Sequence, residues 1–264
     1  MRLEGKVAVV TGASRGMGYA ITKRFADEGA HVVMLARGRE ELDKAASQIG
    51  SRALPYAADI GDPDALRTIF TDIAKRFGGL DILVNNAALA TPNPIVDALD
   101  ADVQKEVAVN ILGPLYCCRE SIPLMRARGG GDIVNISSES VNHPYPHLGL
   151  YAATKSALET LSVVLRAELA DDRIRVTTYR SGNVRGTFSR GWSDEARTRA
   201  RAAARDAGFY GQSGAQIEPE IPAETILNVI TLAREAQIDL IELRGAQPTS
   251  ETIAARMAAD PSKV

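Results

Sequence analysis

The chain has 264 residues, with 31 Lys+Arg against 33 Asp+Glu for a formal net charge of −2. That length suits one large domain able to bury its own core, and the balanced charge excludes an overall basic field for a nucleic-acid backbone. At 45% hydrophobic and 24% charged residues, a disordered chain is excluded too. Cys117 and Cys118 are adjacent, so they offer neither a disulfide framework nor zinc-ligand spacing. No apolar stretch reaches the roughly 18 residues of a membrane span, and the start lacks the apolar run of a secretory leader. The expectation is one soluble, cytoplasmic domain over residues 1–264.

Strand and helix alternate along the chain. Val7 to Val10 is a short apolar run ending at Thr11-Gly12, and a helix is predicted from about Met17 to Glu28, with Gly29 stopping it. A strand over His31 to Leu35, a polar helix over Arg39 to Ile49 and a short run over Ala53 to Ala57 follow. Asp62-Pro63 reads as an N-cap with proline in the first turn of a helix that ends near Phe77-Gly78-Gly79. Next come a strand from Asp81 to Val84 and a long helix from about Ala101 to Arg128, bent at Pro114 and Pro123. Strands over Asp132 to Ile136, Ile174 to Tyr179 and Ile238 to Leu243, with a helix over Tyr151 to Ala170, complete the pattern. Short apolar strands separated by crossover helices predict an α/β fold, a doubly wound parallel sheet of about seven strands. The rhythm breaks from Gly186 to Pro222. That insertion is expected to be a substrate lid, with Gly186, Gly191, Gly208, Gly211 and Gly214 as hinges, or else a surface decoration.

Thr11-Gly12-Ala13-Ser14-Arg15-Gly16-Met17-Gly18 stands where the first strand meets the first helix. Glycines there let the backbone turn sharply and approach a pyrophosphate, which the free N–H groups of the helix start would hold. The spacing is no Walker A loop, because no Gly-Lys-Ser/Thr follows, and it is one residue wider than G-x-G-x-x-G. A glycine turn with no ligand is the bland alternative. About 20 residues further on, the second strand should end at an adenosine ribose, where a carboxylate would repel a 2′-phosphate. Leu35-Ala36-Arg37 stands there instead, and Arg37 with Arg15 suits a dianionic phosphate by charge and fork geometry. Unless both arginines are plain surface charges, the cofactor is NADP(H), with NAD(H) second.

Tyr151 and Lys155 lie one helical turn apart on one face. An isolated phenol, with a pKa of about 10, is too weak an acid for work near neutrality. An ammonium about 4 Å away could lower that value by up to about 3 units at an effective dielectric of about 20. Alone, Tyr-x-x-x-Lys is a weak signal.

Together the motifs say more, and the sequence resembles the short-chain dehydrogenase/reductase family over nearly its whole length. The marks are Thr11-Gly12-x-x-x-Gly16-x-Gly18, Asp59, Asn85-Asn86-Ala87-Ala88, Asn110, Ser138 and Tyr151-x-x-x-Lys155. The resemblance implies a single-domain Rossmann fold with Tyr151 as general acid/base and Ser138 hydrogen-bonding the substrate oxygen. It implies that Lys155 binds the nicotinamide ribose and lowers the tyrosine pKa, while Asn110 holds a water in a proton relay. Gly12, Ser14, Arg15, Gly16, Met17, Gly18, Arg37 and Ala87 would line the cofactor, Asp59 and Ile60 the adenine, and Asn86 the ribose region. Val184 and Thr187 would meet the carboxamide. It also implies a homodimer or homotetramer packed through the helices of residues 101–128 and 151–170.

Three places depart from the family pattern: Ala88 replaces the usual glycine, Ser181-Gly182 replaces Pro-Gly, and Ile238 to Gly245 lacks a glycine-rich end. Ser181 leaves the Val184 and Thr187 assignment open, and the last departure leaves the oligomer type open. Glu139 reads as a solvated carboxylate, and His143 and His147 as loop residues with an outside chance of touching substrate. The arginines at 185, 190, 197, 199, 201 and 205 read as a solvated helix face. The glycosylation sequon at Asn135 falls in a buried strand and is set aside. The expected activity is NADP(H)-dependent interconversion of a small ketone or aldehyde and an alcohol, with no metal, nucleic acid or membrane involved. The alternatives are a non-catalytic dinucleotide sensor or scaffold of the same fold and, less in keeping with the charge, nucleic-acid binding through the arginine-rich insertion.

Overall fold

Burial parity builds the sheet. In the first strand, β1 (Val7–Thr11), Val7 and Val9 enter one apolar cluster, and Ala8 and Val10 enter the cluster on the other face. β2 (His31–Ala36), β3 (Ala53–Ala57), β4 (Ile82–Asn85), β5 (Gly131–Ser138), β6 (Ile174–Ser181) and β7 (Leu240–Leu243) join it. The strands pair in the order β3-β2-β1-β4-β5-β6-β7, each pair parallel. This computed structural model describes residues 1–207 and 215–246.

Helices cover both faces, as a parallel sheet requires. The cluster holding Ala8 and Val10 is closed by α1 (Gly16–Asp27), α2 (Arg39–Ile49) and α8 (Glu220–Ile230), through Ile21, Phe25, Leu42, Ile226 and Leu227. The cluster holding Val7 and Val9 is closed by α3 (Pro63–Phe77), α5 (Gly113–Ala127) and α6 (Gly149–Glu168), through Leu66, Phe70, Cys118, Met125 and Leu165. Each such side chain contributes about 1.5–3 kcal/mol by leaving water. Asp62 caps α3 as expected, accepting from Asp64 N at 2.9 Å and Ala65 N at 3.2 Å, and Gly78 ends that helix at φ +71°. At the bottom of the sheet, buried Arg175 donates to Asp132 at 2.7 Å and to the carbonyls of Ile230, Leu232, Ala233 and Ala236. That network ties the exit of α8 to β5 and β6.

The long helix expected over residues 101–128 runs without interruption from Asp100 to Ala127, as α4 (Asp100–Val107), a π-helical turn over Ala108–Leu112, and α5. The wide turn holds Asn110, whose side chain bonds the loop residue Leu89 in both directions. The insertion carries a helix of its own. Ser193 caps α7 (Asp194–Asp206), and Pro222 already lies inside α8. The hinge positions Gly208, Gly211 and Gly214 lie outside the described residues. Cys117 and Cys118 are buried and free, and burial pushes both thiols up, Cys118 to about 12, which leaves them inert packing. No helix among the described residues is long and apolar enough to cross a membrane.

The chain leaves β1 toward β2 and β3 on one side and reaches β4 on the other. At such a reversal the loops after the strands part, and a crevice opens at their carboxyl ends.

Candidate active site

One cleft of about 970 Å³ lies in that crevice, and Gly12, Ser14, Arg15, Gly16, Met17, Gly18, Arg37, Asp59, Ile60, Asn86 and Ala87 all line it. Ser138, Tyr151, Lys155, Val184 and Thr187 line it as well. Asn110 does not. Among the sequence-predicted site residues it alone stands behind the wall.

The glycine turn is a cradle made by close approach. A Cβ on Gly18 would meet Gly12 O at 2.2 Å, and one on Gly12 would meet the Asn86 amide at 2.9 Å. Asn86 Nδ2 donates to Thr11 O at 2.8 Å, and Thr11 Oγ1 accepts from the Asn86 and Ala87 N–H groups at 2.9 Å, so the loop after β4 holds the turn in shape. Gly16, at φ +54°, has open space where a Cβ would stand. No side chain caps the start of α1, and no acidic residue sits in its first turn. Uncapped N–H groups with the positive end of a helix dipole, facing an open glycine cradle, fit a pyrophosphate.

At the outer end of the cleft the charges are exposed. Arg37 follows β2, lies in solvent and meets no carboxylate among the described residues. Arg15 is paired with Glu41 of α2 at 3.2 Å, and Glu41 also takes Arg190 at 2.9 Å from the segment after β6. Asp59 is exposed and turns its carboxylate to Gly61 N at 2.9 Å, while Ile60 is mostly buried against Gly113.

The inner end is dry. Ser138 is the last residue of β5, and strand parity sends Ser137 the other way, to Glu159 Oε1 at 2.6 Å. Glu159 is held in turn by a two-pronged pair with Arg180, at 2.7 Å on each prong. Tyr151 lies beside Ser138, and the serine hydroxyl acts on the phenol by lowering its pKa. Lys155 is 1% exposed, donates to Ile136 O at 2.7 Å, and lies 5.7 Å from the centre of the Tyr151 ring. Asn110 is spent on support: Oδ1 accepts from Leu89 N at 3.0 Å, and Nδ2 donates to Leu89 O at 2.8 Å and Thr154 Oγ1 at 3.1 Å. Behind it Asn85, Asn135 and Ser162 form a second buried chain of side-chain bonds, each 2.8 Å, from β4 through β5 to α6.

The tyrosine differs from expectation. Burial pushes its phenol above the ordinary range, and the Glu106 and Glu139 carboxylates push the same way, with only the Ser138 contact opposing. Burial also pulls Lys155 down, to about 8. The cover over the ring is the cause. Phe188 stacks on Tyr151 at 5.1 Å between centroids, Trp192 meets Phe188 edge-on at 5.8 Å, and Trp192 Nε1 ties the pair to Ala90 O at 2.7 Å.

Several features escaped sequence reasoning. Glu139 is buried, not solvated. His143 and His147 do not line the cleft. Part of the arginine-rich segment is structural: Arg185 pairs with Glu218 at 2.8 Å, Arg197 bonds the carbonyls of Ser189 and Trp192, and Arg199 reaches Asn93 at 3.3 Å. Glu106, buried four residues before Asn110, went unread, and so did the Phe188 and Trp192 rings.

The profile of the short chain dehydrogenase family matches residues 6–197. Dehydrogenase/reductase SDR family member 4 of Sus scrofa is 36% identical over 203 residues, covering 74% of this chain and 72% of its own. An uncharacterized oxidoreductase of Mycobacterium bovis is 37% identical over 191 residues, or 69% of this chain, but the match spans only 56% of that relative's length. Among solved structures, L-sorbose reductase from Gluconobacter frateurii, complexed with NADPH and L-sorbose, superposes with a TM-score of 0.80 at 29% identity. That superposition covers 95% of this chain and 100% of the reductase. With the profile spanning most of the domain and the fold shared end to end, the chain belongs to the short-chain dehydrogenase/reductase family of oxidoreductases.

Proposed function

We propose that the protein interconverts a small ketone or aldehyde and its alcohol, with NADP(H) as hydride carrier and Tyr151 as proton donor and acceptor. The observation that carries this reading is that Ser138, Tyr151 and Lys155 line the buried end of one cleft whose other end is a glycine cradle.

When bound, the nicotinamide dinucleotide supplies or removes the hydride. Everything else is done by the chain. Ser138 and Tyr151 supply two hydrogen bonds to one substrate oxygen, which become stronger as that oxygen gains alkoxide character. An alkoxide is a stronger base than a phenolate, so a phenol whose pKa burial has raised still gives up its proton to it. The raised value also keeps the phenol protonated and ready before reduction. The Lys155 ammonium sits against the ring and stabilises the phenolate that follows. Asn110 and Thr154 fix the wall that carries Lys155.

NADP(H) is preferred on this reading because Ala36 ends β2 without a carboxylate, and Arg37 and Arg15 flank the same end of the cleft. The relative solved with NADPH supports the same choice. Residues 186–207 cover the reacting groups through Phe188 and Trp192, and we propose that this segment opens to admit substrate. Leu115 of α5 and Val163 and Val164 of α6 are exposed apolar residues on the faces through which a homodimer or homotetramer would pack. With its two thiols free, the proposed setting is the cytoplasm.

A panel of ketones, aldehydes and alcohols, followed by nicotinamide absorbance with both cofactors, tests the reading. Turnover that is faster with NADP(H) and abolished in Tyr151→Phe is expected. Turnover retained in that variant would overturn the mechanism. Tight cofactor binding with no turnover on any substrate would favour a sensor or scaffold.

A further inference from the structure

One face of α6 is stitched to β5 by polar side chains at three- and four-residue steps, so the rungs stand one above the other. Lys155 Nζ donates to Ile136 O at 2.7 Å, Glu159 Oε1 accepts from Ser137 Oγ at 2.6 Å, and Ser162 Oγ accepts from Asn135 Nδ2 at 2.8 Å. The middle rung reaches furthest. Ser137 of β5, Arg180 of β6 and Glu242 of β7 are register partners across neighbouring strands. Arg180 holds Glu159 with two prongs of 2.7 Å and meets Glu242 at 3.5 Å. Glu242 in turn accepts from Asn142 Nδ2 at 3.0 Å, in the segment after Ser138. The Glu159 and Arg180 side chains are 14% and 17% exposed, so both have left most of their water. Apolar side chains would join helix to sheet at a smaller desolvation cost. What the forked pair adds is a fixed distance and a fixed angle.

The pair stands beside the reacting end of the cleft. Ser138 follows Ser137 and Ser181 follows Arg180; both line the cleft, and they are register partners themselves. Lys155 and Tyr151 lie one and two turns from Glu159 toward the start of α6. We propose that Glu159 is a positioning residue for the reaction. Its forked pair with Arg180 and its bond from Ser137 hold β5, β6 and α6 at one separation, and with them Ser138, residues 181–184 and Tyr151. The proposal rests on the proposed roles of Ser138 and Tyr151 and adds the group that sets the space between them. Arg180 is the matching half. Ser181 has no ring to fix its φ, so the direction in which the chain leaves β6 depends on the side chain just before it.

Glu159→Gln keeps the length of the side chain and an acceptor for Ser137, and removes the charge and the second prong. Small misplacements between Ser138 and Tyr151 cost turnover and leave the glycine cradle as it is. In full-length protein, kcat per cofactor-binding site should therefore fall between about tenfold and a hundredfold, with the Kd for NADPH within about twofold of wild type. Fluorescence titration with NADPH counts the sites, so that loss of folded protein is not read as loss of turnover. Ser137→Ala removes only the rung to β5 and should lower kcat by about threefold to tenfold. Combined with Glu159→Gln it should cost little more, because the two act through one contact. Arg180→Lys keeps a cation beside Glu159 without the fork, should lower kcat by about tenfold, and serves if the glutamine variant does not fold. Amide exchange gives a readout that needs no turnover. In Glu159→Gln it should quicken at residues 138–142 and 181–184 and stay as in wild type over β1 to β4. Unchanged kcat per site in the folded variant overturns the proposal, and so do losses that simply add in the double variant. Exchange that quickens evenly over the whole sheet overturns it as well, since Glu159 would then be a fastening of the fold alone. Turnover in Tyr151→Phe would instead sink the reading of the site, with the exchange pattern still deciding the clamp.

Discussion

The two ends of the cleft use the same kinds of residue and treat them oppositely. At the outer end Arg15 and Glu41 are both about two-fifths exposed, at 45% and 40%, and Arg37 stands in solvent. At the reacting end Tyr151, Lys155, Glu106 and Asn110 are all buried. An exposed pair exchanges one partner for another at little cost and is screened by salt, whereas a buried polar network loses heavily when one member goes. On the proposed reading the outer end chooses between cofactors and the inner end does the chemistry. Substitutions should divide along the same line, changing preference at one end and removing turnover at the other.

The sharpest test of that division is Tyr151→Phe. It keeps the ring against Phe188 and loses only the hydroxyl, so cofactor affinity should stay within about twofold while kcat falls by about 10²–10⁴. Turnover assays with cofactor titration by fluorescence would show it. A variant that loses cofactor binding as well would mean that the inner end is not separable from the outer. Lys155→Ala comes next. It removes a buried cation and its bond to Ile136 O, so both kcat and cofactor affinity should fall, kcat the more, and partial unfolding on heating should accompany them.

The outer end was more legible in the sequence than the inner, for a physical reason. The glycine turn, the Asp62 cap and the short apolar strands depend on local backbone rules, and the structure keeps each within a residue or so. Arg37 and Arg15 stand where the β1–α1 and β2–α2 connections put them, so counting from the turn finds them. Tyr151 and Lys155 could be read because they share one helix. What could not be read came from elements distant in sequence. Glu106 looks like any surface carboxylate of a polar helix until the 89–91 loop and α6 close over it. The extra residue of the turn at Ala108–Leu112 leaves no mark on a helical period. Phe188 and Trp192 lie in a segment with no apolar repeat, and only the folded chain lays them over Tyr151.

Arg37→Ala tests the outer end by itself. Among the described residues the side chain has no carboxylate partner to leave stranded, so stability should not change. One charge-assisted hydrogen bond to a 2′-phosphate, discounted for exposure, is about 1.4 kcal/mol, which predicts about a tenfold rise in the KM for NADPH with NADH nearly untouched. Ala36→Asp adds a repulsive carboxylate at the same place and should move the preference toward NADH. Equal weakening of both cofactors by Arg37→Ala would make that arginine a surface charge and return the choice of cofactor to the rest of the cleft.

The smallest effect belongs to Glu41, and its sign is the informative part. Its carboxylate lies 3.2 Å from Arg15 and 2.9 Å from Arg190, so it competes with an incoming 2′-phosphate for Arg15 while it pins the covering segment. Glu41→Gln frees Arg15 and removes a negative charge from the same neighbourhood, and both changes favour a dianion. An exposed pair of this kind is worth about 0–1 kcal/mol, so NADPH should bind up to about fivefold more tightly and NADH almost as before. Because these charges face solvent, the gain should shrink as salt is raised, which a titration at low and high ionic strength would read directly. The loss of the tie to Arg190 works on a different step. It should speed exchange of backbone amides around residues 188–192 without changing kcat, provided that opening of the cover does not limit the rate. Weaker NADPH binding in Glu41→Gln would mean that Glu41 holds Arg15 toward the phosphate rather than away from it. The exposed charges would then form a fixed network like that of the buried end, and the division between the two ends would fail where it is easiest to test.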